Sequence, residues 1–348
     1  MLLTNVYNLI NQDCLEVLFV MKYKIHPLWW PALALISPII LPYLYYKNES
    51  YKLCIDNIDR INKERIDKAE ELSLNEVENL TLTAVSEAKS DSGFKTEAGI
   101  SYFIESENSK LLFDLAFAGE SFAFTENFKK LKLEEKDFDQ LVISHLHPDH
   151  MGGVKASRKN EIVLSSVIKD KISNIHLPAP AKTGDKKKTI AYAPKLITDD
   201  LATTGPLRAN LFFSGPTEEQ SLVVNLKNKG ALVILGCGHP DLQKTLKMAE
   251  KISGKNIYAV AGGLHLPLKN GRLQKAGIDF QRIFGTGLKP WEKMDDNYLK
   301  EKISVLKEFN VERLLLSPHD SSDYALDYFK NNLNADIKIL KSGKKYDF

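Results

Sequence analysis

The stretch "SHLHPDHMGG", from Ser144 to Gly153, decides the fold of this chain. It places three histidines and an aspartate directly after the hydrophobic run "LVIS". A buried strand is therefore expected to end where His145 emerges, and Pro148 keeps regular structure from continuing. The two glycines permit the tight backbone turn that follows. Since imidazole and carboxylate groups are ligands for zinc, iron and manganese, the stretch predicts one corner of a metal site.

Other histidines follow apolar runs in the same way. "VILGCGHP" ends in Cys237 and His239, "AVAGGLHL" ends in His265, and "LLLSPHDSSD" contains His319. The chain has only eight histidines. A lone histidine after a strand is usually structural, but three of them beside HxHxDH predict a shared site.

Strand patterns dominate the first part of the chain beyond residue 80, and helical patterns are added later. The expected strands include Ile100–Ser106 and Lys110–Ala116, joined as a hairpin, and the runs "FDQLVISH", "SLVVNL", "ALVILG", "NIYAVAGG" and "VERLLLSP". The expected helices are Asp241–Ile252, Asn297–Phe309 and Ser322–Leu333. This order predicts an α+β fold with sheets packed face to face and helices outside. Residues 155–217 are rich in turn formers, which predicts an irregular lid or substrate loop.

The N-terminal part differs from the rest. Residues 28–46 are uncharged and aromatic at both ends, which predicts a single-pass transmembrane anchor after an N-terminal extension over residues 1–27. A cleaved signal peptide and a buried or interfacial hairpin are the alternatives. Residues 47–80 predict a polar helix, either a stalk or a helix laid on a catalytic domain over residues 81–348. Lysines flank the apolar run on both sides, so the side of the membrane stays open, as does a true start at Met1 or Met21.

HxHxDH resembles the signature of the metallo-β-lactamase-fold hydrolases. The wider set "GISYFIESENSKLLFDLA", "TTGPL", "EEQSLVV", "KGALVILGCGHPDL", "GGLHL" and "SPHDSSDYAL" resembles the branch of 7,8-dihydropterin-6-methyl-4-(β-D-ribofuranosyl)aminobenzene-5′-phosphate synthases. The resemblance covers about residue 81 to the C-terminus. It implies an αββα sandwich with two divalent metal ions, zinc first and manganese or iron as alternatives, at one edge.

The resemblance also implies roles for particular residues. His145 and His147 would bind the first metal, whereas Asp149, His150 and His319 would bind the second. Asp114 would support the metal loop without binding metal. The family usually has a bridging aspartate in "GD", where this chain reads Gly236-Cys237, so we expect His239 to be a ligand. Cys237 is either a further ligand or a buried thiol.

These features predict a metal-dependent hydrolase. A bound divalent ion makes hydroxide available near neutral pH, Asp149 would hold it in line, and His265 would act as an acid or transition-state donor or else support a ligand. The expected substrate is a small phosphate-bearing molecule. One alternative is hydrolysis of a lactone, thioester or amide at the same site, and another is a di-iron redox protein or a binding protein. The net charge of +2 provides no global field for binding nucleic acid. The oligomeric state stays open.

Overall fold

Two β-sheets pack face to face in the computed structural model, which describes residues 30–275 and 278–348. The helices are α1 Trp30–Lys68, α2 Phe122–Lys130, α3 Val154–Lys159, α4 Ser166–Lys169, α5 Leu242–Ser253, α6 Phe280–Gly285, α7 Asp296–Glu308 and α8 Asp323–Asn332. The strands are β1 Glu76–Val77, β2 Leu80–Ser86, β3 Ser101–Ser106, β4 Lys110–Phe113, β5 Gln140–Val142, β6 Asn174–Leu177, β7 Lys187–Ile190, β8 Lys195–Thr198, β9 Leu201–Thr203, β10 Leu207–Leu211, β11 Gly215–Glu219, β12 Leu222–Leu226, β13 Gly230–Ile234, β14 Ile257–Gly262, β15 Gln274–Lys275, β16 Ile278–Asp279, β17 Arg313–Leu316, β18 Asp336–Ile339 and β19 Lys345–Asp347.

The first sheet has the order β18-β17-β14-β13-β12-β9-β8, with β1 parallel to β12. The second has the order β19-β2-β3-β4-β5-β6-β7. In the first sheet β13, β14, β17 and β18 are parallel neighbours, and in the second β4, β5, β6 and β7 are. The carboxyl ends of these parallel strands therefore lie together at an edge of each sheet.

Three apolar layers hold the fold together. Because side chains alternate along a strand, Leu222 and Val224 of β12 face the second sheet, whereas Val223 faces α5, α7 and α8. The second sheet likewise packs its outer face on α2, α3 and α4. A strand that is buried on both faces is a continuous hydrophobic run in the sequence, so these strands could be predicted from the sequence. The layer order is helices, sheet, sheet, helices, and this confirms the predicted αββα sandwich.

Helix α1 spans the boundary that we predicted at residue 46, between the apolar segment over residues 28–46 and the polar helix over residues 47–80. It runs without interruption through Pro38 and Pro42. Its C-terminal part lies on the domain, where the Asn62 side chain accepts from the Arg208 N–H and donates to the Arg208 carbonyl, each at 2.8 Å. The helix ends at Lys68 rather than continuing toward residue 80, and strands follow it.

The predicted membrane anchor over residues 28–46 is not confirmed. Across residues 30–275 and 278–348, no helix combines the length and apolarity needed to cross a membrane. The first half of α1 does carry exposed apolar side chains, such as Leu35 and Ile39. The extension predicted over residues 1–27, and the first two residues of the anchor, lie outside the described part of the chain.

Candidate metal centre

Five strands deliver the polar side chains of the site. Asp114 follows β4, the HxHxDH loop follows β5, and the loop with Cys237 and His239 follows β13. His265 comes after β14, and His319 after β17. Since these strands end at the same edge of the sandwich, residues far apart in sequence meet there.

Three imidazoles form what we call the first ligand group: His145, His147 and His239. The Nε2 atom of His145 lies 3.0 Å from Nδ1 of His147, and Nε2 of His239 lies 3.1 Å from the same Nδ1. Nitrogen atoms of three rings therefore converge on one point, as the ligands of a tetrahedral metal ion do.

A second ligand group consists of Asp149, His150 and His319. The Asp149 carboxylate lies 3.5 Å from Nε2 of His150. One ligand atom from each residue of this group, together with Cys237 Sγ, lies within 4.8 Å of all the others. The six ligands predicted from the sequence are thus brought together in two adjacent groups of three.

Burial keeps most of these histidines in the form that binds metal. It lowers the pKa of His147 to about 4, and it lowers the pKa values of His145, His239 and His319 well below the usual range. The rings are therefore neutral near pH 7, and neutral imidazole is the metal-binding species. In addition, Nδ1 of His239 is buried and has no hydrogen-bond partner within the part of the chain that the structure describes. Nitrogen and carboxylate donors arranged in this way fit divalent ions such as zinc, iron or manganese.

Asp114 orients His150 of the second ligand group through a hydrogen bond. Its carboxylate accepts the N–H and the hydroxyl of Ser144, each at 2.6 Å, and the Nδ1–H of His150 at 2.7 Å. This contact fixes the tautomer of His150 and turns its Nε2 lone pair toward the site. Asp114 itself has φ of 60°, a left-handed conformation that aspartate tolerates better than most residues.

Glu219 is a residue that the sequence reasoning missed. Its Oε1 accepts the backbone N–H groups of Cys237 at 3.1 Å and Gly238 at 2.8 Å, and its Oε2 accepts that of His239 at 2.9 Å. The side chain is buried, so these bonds are shielded from water. One carboxylate therefore holds the loop that presents His239. The signal in the sequence was an acidic residue two positions before the buried run "SLVVNL".

Glu87 and Ser317 were missed as well. The Ser317 hydroxyl donates to Glu87 Oε1 at 2.5 Å, so its oxygen accepts from Nδ1 of His319 at 2.6 Å. Tyr102 donates to the same carboxylate oxygen at 2.5 Å. Burial raises the pKa of Glu87 to about 7, although these hydrogen bonds oppose the rise. The chain of contacts leaves Nε2 of His319 free to face the second ligand group.

His265 lies beside the first ligand group. Its ring centroid is 4.8 Å from that of His239, and among residues 30–275 and 278–348 neither of its buried ring nitrogens has a hydrogen-bond partner. Its backbone N–H donates to the Asp320 carboxylate at 2.9 Å. On the other side, a Cβ added to Gly285 of α6 would lie 2.1 Å from Nε2 of His265, so only glycine leaves room for this ring.

The segment expected to be an irregular lid is instead built of short helices and strands. Residues 155–217 contain α3 in part, α4 and strands from β6 into β11, because short strands can form where turn residues are frequent. Within this segment, β10 and β11 pair only with each other. This hairpin places Thr217 Oγ1 at 3.4 Å from Nε2 of His147. The part of this segment that contacts the first ligand group is therefore an ordered hairpin.

The chain resembles several known proteins. A model of the metallo-β-lactamase superfamily matches residues 96–247. The 7,8-dihydropterin-6-methyl-4-(β-D-ribofuranosyl)-aminobenzene-5′-phosphate synthase of Methanocaldococcus jannaschii is 26% identical over 320 residues, which span 80% of this chain and 99% of that protein. An uncharacterized protein of the same organism is 29% identical over 199 residues, 50% of this chain and 74% of that protein. A crystal structure of a metal-dependent hydrolase of the β-lactamase superfamily has a TM-score of 0.52 at 22% identity, covering 77% of this chain and 98% of that one.

Proposed function

This chain has the metallo-β-lactamase fold, and from that premise we propose that it is a metal-dependent hydrolase with a dinuclear site. The observation that carries the proposal is the pair of ligand groups at one edge of the sandwich, His145, His147 and His239 beside Asp149, His150 and His319. Two divalent ions in these groups would polarise the scissile bond and lower the pKa of water to about 7.

The protein residues supply orientation and hydrogen bonds. Asp149 would hold the nucleophile in line. His265 has a pKa lowered to about 4 by burial, so at neutral pH it is a neutral ring whose N–H would donate to the substrate at the transition state. Its ring nitrogens, which no described residue hydrogen-bonds, support this role, because a buried polar group without a partner is costly unless a ligand satisfies it.

The substrate class that we propose is a small phosphate-bearing molecule. Support comes from the 26% identical relative, which the alignment covers almost from end to end and whose name describes the synthesis of a 5′-phosphate compound. That relative is a synthase, so its name does not identify the bond on which this chain acts. Assays on substrates with different bond types identify that bond.

The experiment compares purified full-length protein, loaded with zinc, manganese or iron, on bis-p-nitrophenyl phosphate and on a panel of lactones and thioesters. We expect hydrolysis of the phosphodiester and its loss in His147→Ala. The matched control is His176→Gln, because His176 is also buried but hydrogen-bonds to Gln140 and Asn174, outside both ligand groups. Exclusive turnover of a lactone or thioester would contradict the proposed substrate. Oxygen consumption with iron and no hydrolysis would contradict the proposed reaction.

A further inference from the structure

The sulfur of Cys237 lies near residues of both ligand groups. Its Sγ atom is 3.0 Å from Nε2 of His150 and 3.1 Å from Nε2 of His319. The same sulfur belongs to a second set, in which ligand atoms of His145, Cys237 and His239 all lie within 4.8 Å of one another. A single side chain therefore reaches both groups.

The distances fit a shared metal ligand. Zinc binds thiolate at about 2.3 Å and imidazole at about 2.0–2.1 Å, so neighbouring ligand atoms around a tetrahedral ion are about 3.5 Å apart. Movements of a few tenths of an ångström would bring Sγ, His150 and His319 to that spacing. A thiolate is also a strong ligand for zinc and for iron.

Backbone contacts of the loop around Cys237 fix the direction of this side chain. The Glu219 carboxylate holds the N–H of Cys237, and Gly238 follows in a left-handed conformation with φ of 67°. A Cβ on Gly236 would lie 2.2 Å from the Ser144 hydroxyl, so the loop passes close to the base of the HxHxDH loop. Glycine on each side thus lets the backbone bring the sulfur to the centre of the site.

A nearby carboxylate that would be the other candidate for a bridge is already engaged. Asp320 belongs to a set with Cys237 and His265. Its Oδ2 accepts the backbone N–H of His265 at 2.9 Å, and its Oδ1 accepts the hydroxyl of Ser321 at 2.9 Å. In the described contacts, by contrast, the sulfur of Cys237 lies within hydrogen-bonding distance only of His150 and His319, both in the second ligand group.

We propose that Cys237 binds metal as a thiolate shared by the first and second ligand groups. The thiol proton is released to solvent when the metal binds. This inference rests on the dinuclear site of the proposed function, which it deepens by naming a seventh ligand.

Cobalt substitution tests it, because a thiolate bound to Co²⁺ gives a ligand-to-metal charge-transfer band in the near ultraviolet that nitrogen and oxygen ligands do not give. We expect the band in the full-length wild type and in Cys54→Ser, the matched control, since Cys54 lies on α1 and is half-buried. We expect the band to be lost in Cys237→Ser. Persistence of the band in Cys237→Ser would overturn the inference.

Cobalt content separates the two claims. Wild type that binds two Co²⁺ ions without the band overturns the role of Cys237 but leaves the dinuclear site intact, whereas wild type that binds no Co²⁺ overturns both. A second measurement needs no variant of Cys237. Zinc should protect Cys237 of the wild type from iodoacetamide, as read by peptide mass spectrometry, and should leave labelling of Cys54 unchanged. Equal labelling of Cys237 with and without bound zinc would overturn the inference.

Discussion

Substitution of Glu219 by glutamine should loosen the loop that carries His239. The carboxylate accepts three backbone N–H groups, two on Oε1 and one on Oε2. Glutamine keeps one oxygen for two of these donors, but its NH₂ group then faces the third. An unpaired buried N–H costs about 1–3 kcal/mol, and bonds to a charged acceptor are stronger than those to an amide. We therefore expect the free energy of unfolding to fall by about 2–4 kcal/mol.

The same change should weaken metal binding. Outer partners that orient a ligand typically change metal affinity by about 10–100-fold, and Glu219 orients His239 through its backbone. The assays are urea unfolding of the metal-free protein and a competitive chelator titration with zinc. The matched control is Glu218→Gln, because the neighbouring carboxylate pairs with Arg65 and Arg208 at 2.6 Å instead of with the loop.

Loss of that partly exposed ion pair should cost about 1 kcal/mol and leave zinc affinity unchanged. Glu219→Gln protein with wild-type stability and zinc affinity would refute the reasoning. Equal weakening of zinc binding by Glu218→Gln would refute it too, because the effect would then not depend on the contacts to the His239 loop.

Three further substitutions test other parts of the site. Asp114→Asn should lower metal affinity by about 10–100-fold in a chelator titration, because His150 loses the acceptor that fixes its tautomer; unchanged affinity would contradict this. Folding raises the pKa of Glu87 from 4.5 to about 7, so the folded protein holds this proton more tightly than the unfolded chain does. The free energy of unfolding should therefore fall by about 3 kcal/mol as the pH rises between these two values. Urea unfolding against pH should show this fall in wild type relative to Glu87→Gln, and parallel curves would count against it. Gly285→Ala should reduce kcat without changing metal content, because the new Cβ would lie 2.1 Å from Nε2 of His265 and displace that ring; full activity would show that the ring position is unimportant.

The sandwich, and the side chains that meet at its edge, were predictable because their signals are local. A strand buried on both faces is a continuous apolar run, as in β12 and β13, and the loop after it carries the polar residues. HxHxDH places four residues of the two ligand groups within six positions. Such patterns need no knowledge of distant parts of the chain.

The supporting residues could not be predicted in the same way, because their partners are distant in sequence. Glu87 meets Ser317 across 230 positions, and nothing near either residue indicates the contact. Glu219 was hidden among ordinary acidic residues before a strand. Composition divides residues 28–46 from residues 47–80, whereas the backbone from Trp30 to Lys68 is one helix, α1, because a helix can continue where hydropathy changes.

Metal content of the purified full-length protein tests the central claim most directly. We expect two divalent ions per chain in the wild type, and fewer than two in His147→Ala together with loss of hydrolysis, with His176→Gln retaining both ions and activity. Wild-type metal stoichiometry and activity in His147→Ala would contradict the proposed dinuclear site, as would a wild type that binds no divalent ion at all.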